Sequence, residues 1–193
     1  QTLHKKYDEV TAILVGDALN TEAFALISNA SLSNDIKIDL IKCLATNGGI
    51  NGMIIGQAID CYFENQKLEL NQLEFLHIHK TARLIAASLK MGAIICEYDL
   101  ATQEKLYDFG IDLGLLFQIQ DDIIDETLSS EEAGKTTQND SSKNSFVNLL
   151  GLDGAIKSAD ELALKCTNTL ETFDSSLKES LEELLLKYIN RHK

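Results

Sequence analysis

The chain has 193 residues, 45% of them apolar, which is enough for a sizeable core and excludes general disorder. A net charge of −13 excludes non-specific binding to nucleic acid or anionic lipid, which needs a basic surface; a solvated acidic surface accounts for most of those charges. Four scattered cysteines, Cys43, Cys61, Cys96 and Cys166, contain no CxxC pair and argue for reduced core thiols in a cytoplasmic protein rather than disulfides or a zinc site.

The sequence contains no proline, and helix-favouring Leu, Ile, Ala, Glu and Lys dominate, so an all-α fold is predicted. Apolar spacing of three and four residues predicts helices over 7–30, 34–47, 50–65, 70–97, 101–127, 145–172 and 175–190. Short links such as SLSND, NGG and EYDLAT imply antiparallel neighbours in a bundle. Neither an apolar run of membrane-spanning length nor an opening signal peptide is expected. The first residue is Gln rather than Met, so the chain is read as part of something longer.

In chain order, NGGINGMIIGQAID is the first unusual stretch. Gly48, Gly52 and Gly56 form a small-residue ridge expected to permit close helix approach. Gln57 and Asp60 follow; they suit either support for a site or plain polar surface. Next, in HIHKTARL, Lys80 offers a point charge and Thr81 a hydroxyl donor to a phosphate, although a surface lysine and the nearby Arg83 are also explained by solvation. His77 and His79 are two apart and point to different faces, a poor metal pair.

FQIQDDIID, residues 117–125, sets three carboxylates in an otherwise apolar run. At about 100° per residue, Gly114, Phe117, Gln118, Asp121 and Asp125 share one side, and Leu116, Ile119 and Ile123 the opposite one. Asp122 lies about a quarter-turn from Asp121. Turned inward, Asp121 and Asp125 need a cation or a proton, and oxygen-only ligands favour Mg²⁺, which keeps water or substrate phosphate among its ligands. An exposed helix end carrying three solvated acids fits the same spacing. The polar stretch 127–145 follows directly, long enough for a binding loop and also for an idle surface excursion; its Lys135 is a candidate phosphate contact.

Together these residues resemble the trans-isoprenyl diphosphate synthases, or polyprenyl synthetases. FQIQDDIID is similar to that family's second aspartate-rich motif. TLHKKYDEVTAILVGDALNTEAF, GQAID, HKTARLI, Gly134-Lys135 and KNSFVNLLG match further blocks in the family's order, across essentially all 193 residues. Within the family they resemble the bacterial short-chain, farnesyl-forming group.

The resemblance implies an isoprenoid synthase bundle around a central cavity, with 1–193 as the portion of one domain that follows the first aspartate-rich motif. It implies Mg²⁺-assisted ionisation of an allylic diphosphate (dimethylallyl or geranyl) and condensation with isopentenyl diphosphate, most simply giving farnesyl diphosphate. Geranylgeranyl or longer products, or a non-catalytic helical partner subunit of such a synthase, are the alternatives. Carried over by motif, Asp121 and Asp125 bind Mg²⁺, with Asp122 behind them or as an auxiliary ligand. Lys80, Thr81 and Lys135 bind the allylic diphosphate, Gln118 lies near the reacting end and Phe117 lines the cavity, with Lys80, Lys135 and Gln118 as the catalytic set. A homodimer without membrane insertion or nucleic acid is expected. The family's first aspartate-rich motif and isopentenyl diphosphate site are absent from these residues, so this polypeptide alone is expected to be inactive and the full-length protein active.

Overall fold

A computed structural model describes residues 2–64, 66–127 and 144–189. Among these residues the fold is entirely helical: α1 (Leu3–Lys6), α2 (Glu9–Asn29), α3 (Asn34–Gly48), α4 (Met53–Tyr62), α5 (Leu70–His77), a π-helical turn (Ile78–Ala82), α6 (Arg83–Ile95), α7 (Leu100–Thr127), α8 (Phe146–Leu170) and α9 (Ser175–Ile189). The predicted helices are present, with ends within a few residues. The short α1 was not predicted, and two predicted helices are interrupted.

The residues group into two compact units, Gln1–Cys43 and Leu44–Lys193, the boundary falling within α3. In the first unit, Asp8 starts α2 by accepting the Thr11 backbone N–H at 2.7 Å. By length and composition, α2 is long and apolar enough to cross a membrane. This corrects the expectation that no run reaches that length. Asp17 and Glu22 break its continuity, but the intervening residues are apolar enough to carry the average.

The second unit holds the core. Phe109, Leu113, Leu116, Ile119 and Ile123 of α7 are 0–2% exposed and pack with Phe146, Ala155 and Cys166 of α8. Each large side chain so buried contributes about 1.5–3 kcal/mol. The π turn and α6 approach α7 through small residues. An added β-carbon at Gly114 would lie 2.7 Å from Ala82 Cβ, and one at Gly110 would lie 3.0 Å from Ala86 Cβ.

The proposed Gly48–Gly52–Gly56 ridge is therefore corrected. α3 ends at Gly48 and α4 begins at Met53, so the three do not share a helix; a β-carbon at Gly52 would crowd the Asn47 backbone at the end of α3, and one at Gly56 would crowd the backbone of the π turn. The predicted 70–97 helix departs from α geometry in that turn, and the 145–172 helix is kinked at Gly151, whose φ of 74° is left-handed.

Candidate active site

Helix α7 presents its acids much as the helical wheel requires. Phe117, Gln118, Asp121 and Asp125 are partly exposed, whereas Leu116, Ile119 and Ile123 are buried at 0, 2 and 1% exposure. Asp121 and Asp125 thus stand one turn apart on one accessible face.

Asp122 belongs to different surroundings. Its Oδ2 accepts the Phe146 backbone N–H at 2.8 Å, which is among the first N–H groups of α8 that have no partner within their own helix. Its Oδ1 accepts from Gln118 Nε2 at 3.2 Å. The His77 Nε2 lies 4.0 Å from Oδ2, with the two side chains only 4% and 10% exposed, and the imidazole stacks on the Phe146 ring at 5.6 Å between centroids. The helical offset of Asp122 from Asp121 thus becomes a difference in employment.

The π turn supplies the other half. Lys80 Nζ pairs with the Asp60 carboxylate, both side chains about a quarter exposed. Thr81 Oγ1 donates to Gln118 Oε1 at 3.2 Å. Thr81, expected to offer its proton to phosphate, here gives it to Gln118. Lys135 lies outside the described residues. Arg83 turns the other way, donating to Asn47 Oδ1 at 3.2 Å and to the Asn51 carbonyl at 2.8 Å. Asn47 Oδ1 also accepts the Tyr107 hydroxyl at 2.6 Å, so Arg83 fastens the end of α3.

The structure therefore brings Thr81, Gln118 and Asp122 into one hydrogen-bonded group, beside a second pair, Lys80 and Asp60. It also gives Asp60, which the sequence leaves open between supporting a site and plain surface, a partner in Lys80, and it adds His77 and Asn144. Asp60 is twenty positions from Lys80, beyond any local spacing rule. His77 stacks on Phe146 close to Asp122, whereas His79 meets the Phe75 carbonyl at 2.8 Å and Arg83 Nη1 at 2.9 Å. Asn144 bonds the Phe63 and Gln66 carbonyls at 2.8 and 2.9 Å and accepts the Leu68 N–H at 3.1 Å. No signal in the local sequence distinguishes it from an ordinary loop asparagine.

Among the described residues no group of three or more His, Cys, Asp or Glu side chains is arranged to hold a metal ion. Two accessible carboxylates one turn apart do not make a protein cage. They do match magnesium, which binds through one or two carboxylates and completes its shell with water and substrate phosphate. A groove between α7 and α8, lined by Phe109, Asp112 and Lys165 among others, includes none of the predicted site residues.

The family model for polyprenyl synthetase matches residues 1–184. A farnesyl diphosphate synthase from Micrococcus luteus is 41% identical over 194 aligned residues, covering 100% of this chain and 66% of that protein. A chloroplastic geranylgeranyl pyrophosphate synthase from Capsicum annuum is also 41% identical, over 90% of this chain and 48% of its own length. A crystal structure of a geranyltransferase from Helicobacter pylori, complexed with magnesium and isoprenyl diphosphate, superposes with a TM-score of 0.90 at 54% identity, covering 96% of this chain and 62% of that one. The chain spans no more than about two-thirds of these relatives, 66%, 48% and 62% of their lengths in turn. With a family model matched along nearly its whole length and an all-helical fold shared with these enzymes, the chain belongs to the polyprenyl synthetase family, the trans-isoprenyl diphosphate synthases.

Proposed function

We propose that the full-length protein is a prenyltransferase that condenses an allylic diphosphate with isopentenyl diphosphate to give farnesyl diphosphate, and that these 193 residues form the part of its single domain following the first aspartate-rich motif. The observation that carries the reading is the shared accessible face of Asp121 and Asp125, with Gln118 beside them joined to Thr81 of the turn that holds Lys80. Relatives named for farnesyl diphosphate synthesis and for a complex with magnesium and isoprenyl diphosphate support it.

In this mechanism Asp121 and Asp125 would hold Mg²⁺, whose positive charge, when the ion is bound, would offset the charge gathering on the departing diphosphate. Lys80, kept in place by Asp60, adds a positive charge on the same leaving group, with Lys135 in the same role. Gln118 and Thr81 present oriented dipoles near the reacting carbon. Phe117 offers an aromatic face to the allylic cation and keeps water from it. The new carbon–carbon bond forms between that cation and the isopentenyl double bond, and loss of a proton restores neutrality. A geranylgeranyl product is the second reading, favoured by the equal identity to the Capsicum annuum enzyme. A cytoplasmic homodimer completes the proposal; with Cys61 and Cys96 exposed and no cysteine in a disulfide, the chain suits a reducing compartment.

The test is thermal melting of the full-length protein with Mg²⁺ and geranyl diphosphate, beside a condensation assay with isopentenyl diphosphate. Melting temperature rises in the wild type, and Asp121→Ala removes most of the rise. A wild type that shows neither shift nor product overturns the proposal in favour of a non-catalytic partner subunit.

A further inference from the structure

We propose that Asp122 is a positioning residue that sets the direction of a hydrogen-bond relay and thereby decides which pole of the Thr81 hydroxyl faces the substrate. The inference rests on the prenyltransferase reading for its kinetic consequence, but its geometric content stands alone.

A carboxylate only accepts hydrogen bonds. Asp122 accepts at both oxygens, from the Phe146 N–H at 2.8 Å and from Gln118 at 3.2 Å. The donor from α8 holds the carboxylate in orientation, because a backbone N–H at a helix start cannot rotate away. Gln118 has one donor end and one acceptor end, and the two are distinguished only by their partners. Facing Asp122, the amide must turn its NH₂ group to the carboxylate, which leaves Oε1 toward Thr81. The Thr81 hydroxyl, 3.2 Å from that oxygen, must then be the donor. The relay therefore runs one way: Thr81 to Gln118 to Asp122, with the Phe146 N–H fixing its end.

The consequence reaches the chemistry. With its only proton committed to Gln118, Thr81 meets a substrate solely through oxygen lone pairs. That pole repels a phosphate oxygen and attracts positive charge developing on carbon. Asp122 acts on the transition state through two intervening groups, without touching substrate or metal.

Asp122→Asn reverses the relay while preserving shape. The new side-chain oxygen still accepts from Phe146, but its NH₂ faces Gln118, whose amide flips and whose NH₂ then donates to Thr81. In the full-length protein, kcat for condensation of geranyl and isopentenyl diphosphates falls about tenfold, the order one misdirected hydrogen bond produces, while KM for the allylic diphosphate does not rise. Asp122→Asn combined with Gln118→Glu restores an acceptor toward Thr81 at unchanged net charge, and kcat recovers. A single variant at wild-type kcat, or a double variant no faster than the single, overturns the proposal; loss of packing alone gives no recovery. A neutron structure of the wild-type protein, without metal or substrate, supplies a readout independent of turnover and of variant folding. The Thr81 deuteron on the side away from Gln118, or the amide ND₂ toward Thr81, refutes the relay. Absence of condensation by the wild type sinks the functional reading and leaves this geometric test in force.

Discussion

Replacing Gly56 with alanine tests whether the close approach of α4 to the π turn places Lys80. A β-carbon at Gly56 falls on the Lys80 backbone nitrogen and lies 2.6 Å from Lys80 Cα and 2.7 Å from the His79 carbonyl carbon. Non-bonded carbons settle about 3.5–4.0 Å apart, so helix and turn must separate by about 1 Å. All three atoms are backbone, and no side chain can yield in their place. Overpacking of this kind costs about 1–3 kcal/mol, against about 1 kcal/mol returned by alanine's better helix propensity. The net loss reaches about 2 kcal/mol, or a melting temperature lower by up to about 8 °C for a chain of this size. Gly92→Ala in α6 is the control. An added β-carbon there meets nothing within 4 Å, so the propensity gain stands alone. Its melting temperature rises by about 2–4 °C. The displacement at Gly56 also moves Lys80 and Thr81, and misplacement of about 1 Å lowers rates on the order of 100-fold. Scanning calorimetry and steady-state condensation assays on the full-length protein measure both effects. If Gly56→Ala shifts the melting temperature upward like Gly92→Ala and keeps wild-type kcat, the packing argument is wrong.

Three further outcomes are expected. Asn144→Ala withdraws hydrogen bonds from the Phe63 and Gln66 carbonyls and the Leu68 N–H, lowering unfolding stability by about 1–3 kcal/mol; an unchanged urea midpoint would contradict this. Burial, with Asp112 adding to it and Lys165 opposing it, pushes the Cys166 thiol from 9.0 up to about 12. Iodoacetamide should therefore modify exposed Cys61 and Cys96 in the native protein and spare Cys166 until unfolding, as peptide mapping would reveal. The unfolded thiol loses its proton first, so Cys166 makes stability decline with rising pH from 9.0 toward about 12. Cys166→Ala should flatten that decline, and an equally steep curve in the variant would refute the assignment.

Helix content was legible because it depends on near neighbours. The absence of proline and the three-and-four spacing over 101–127 and 175–190 anticipate α7 and α9 almost to their ends. The facing of Asp121 and Asp125 was legible for the same reason, since the angle between residues on one helix is set by backbone geometry. The π turn was not. Its residues have ordinary helical composition, and nothing local announces that the chain changes its winding between His77 and Arg83, where Gly56 comes against the backbone.

The amino-acid order by itself determined that this protein is helical, that its acids lie one turn apart, and which family motifs it carries. Tertiary structure alone decided that Asp122 accepts a backbone N–H at the start of α8, that Asp60 pairs with Lys80, and that Gln118 joins Thr81 to Asp122. The physical reason is range. Periodicity reports which direction a side chain leaves its own helix, whereas a hydrogen bond needs a partner whose position depends on how a different helix is packed. Phe146 lies 24 residues from Asp122 and Thr81 lies 37 from Gln118, distances over which no spacing rule operates.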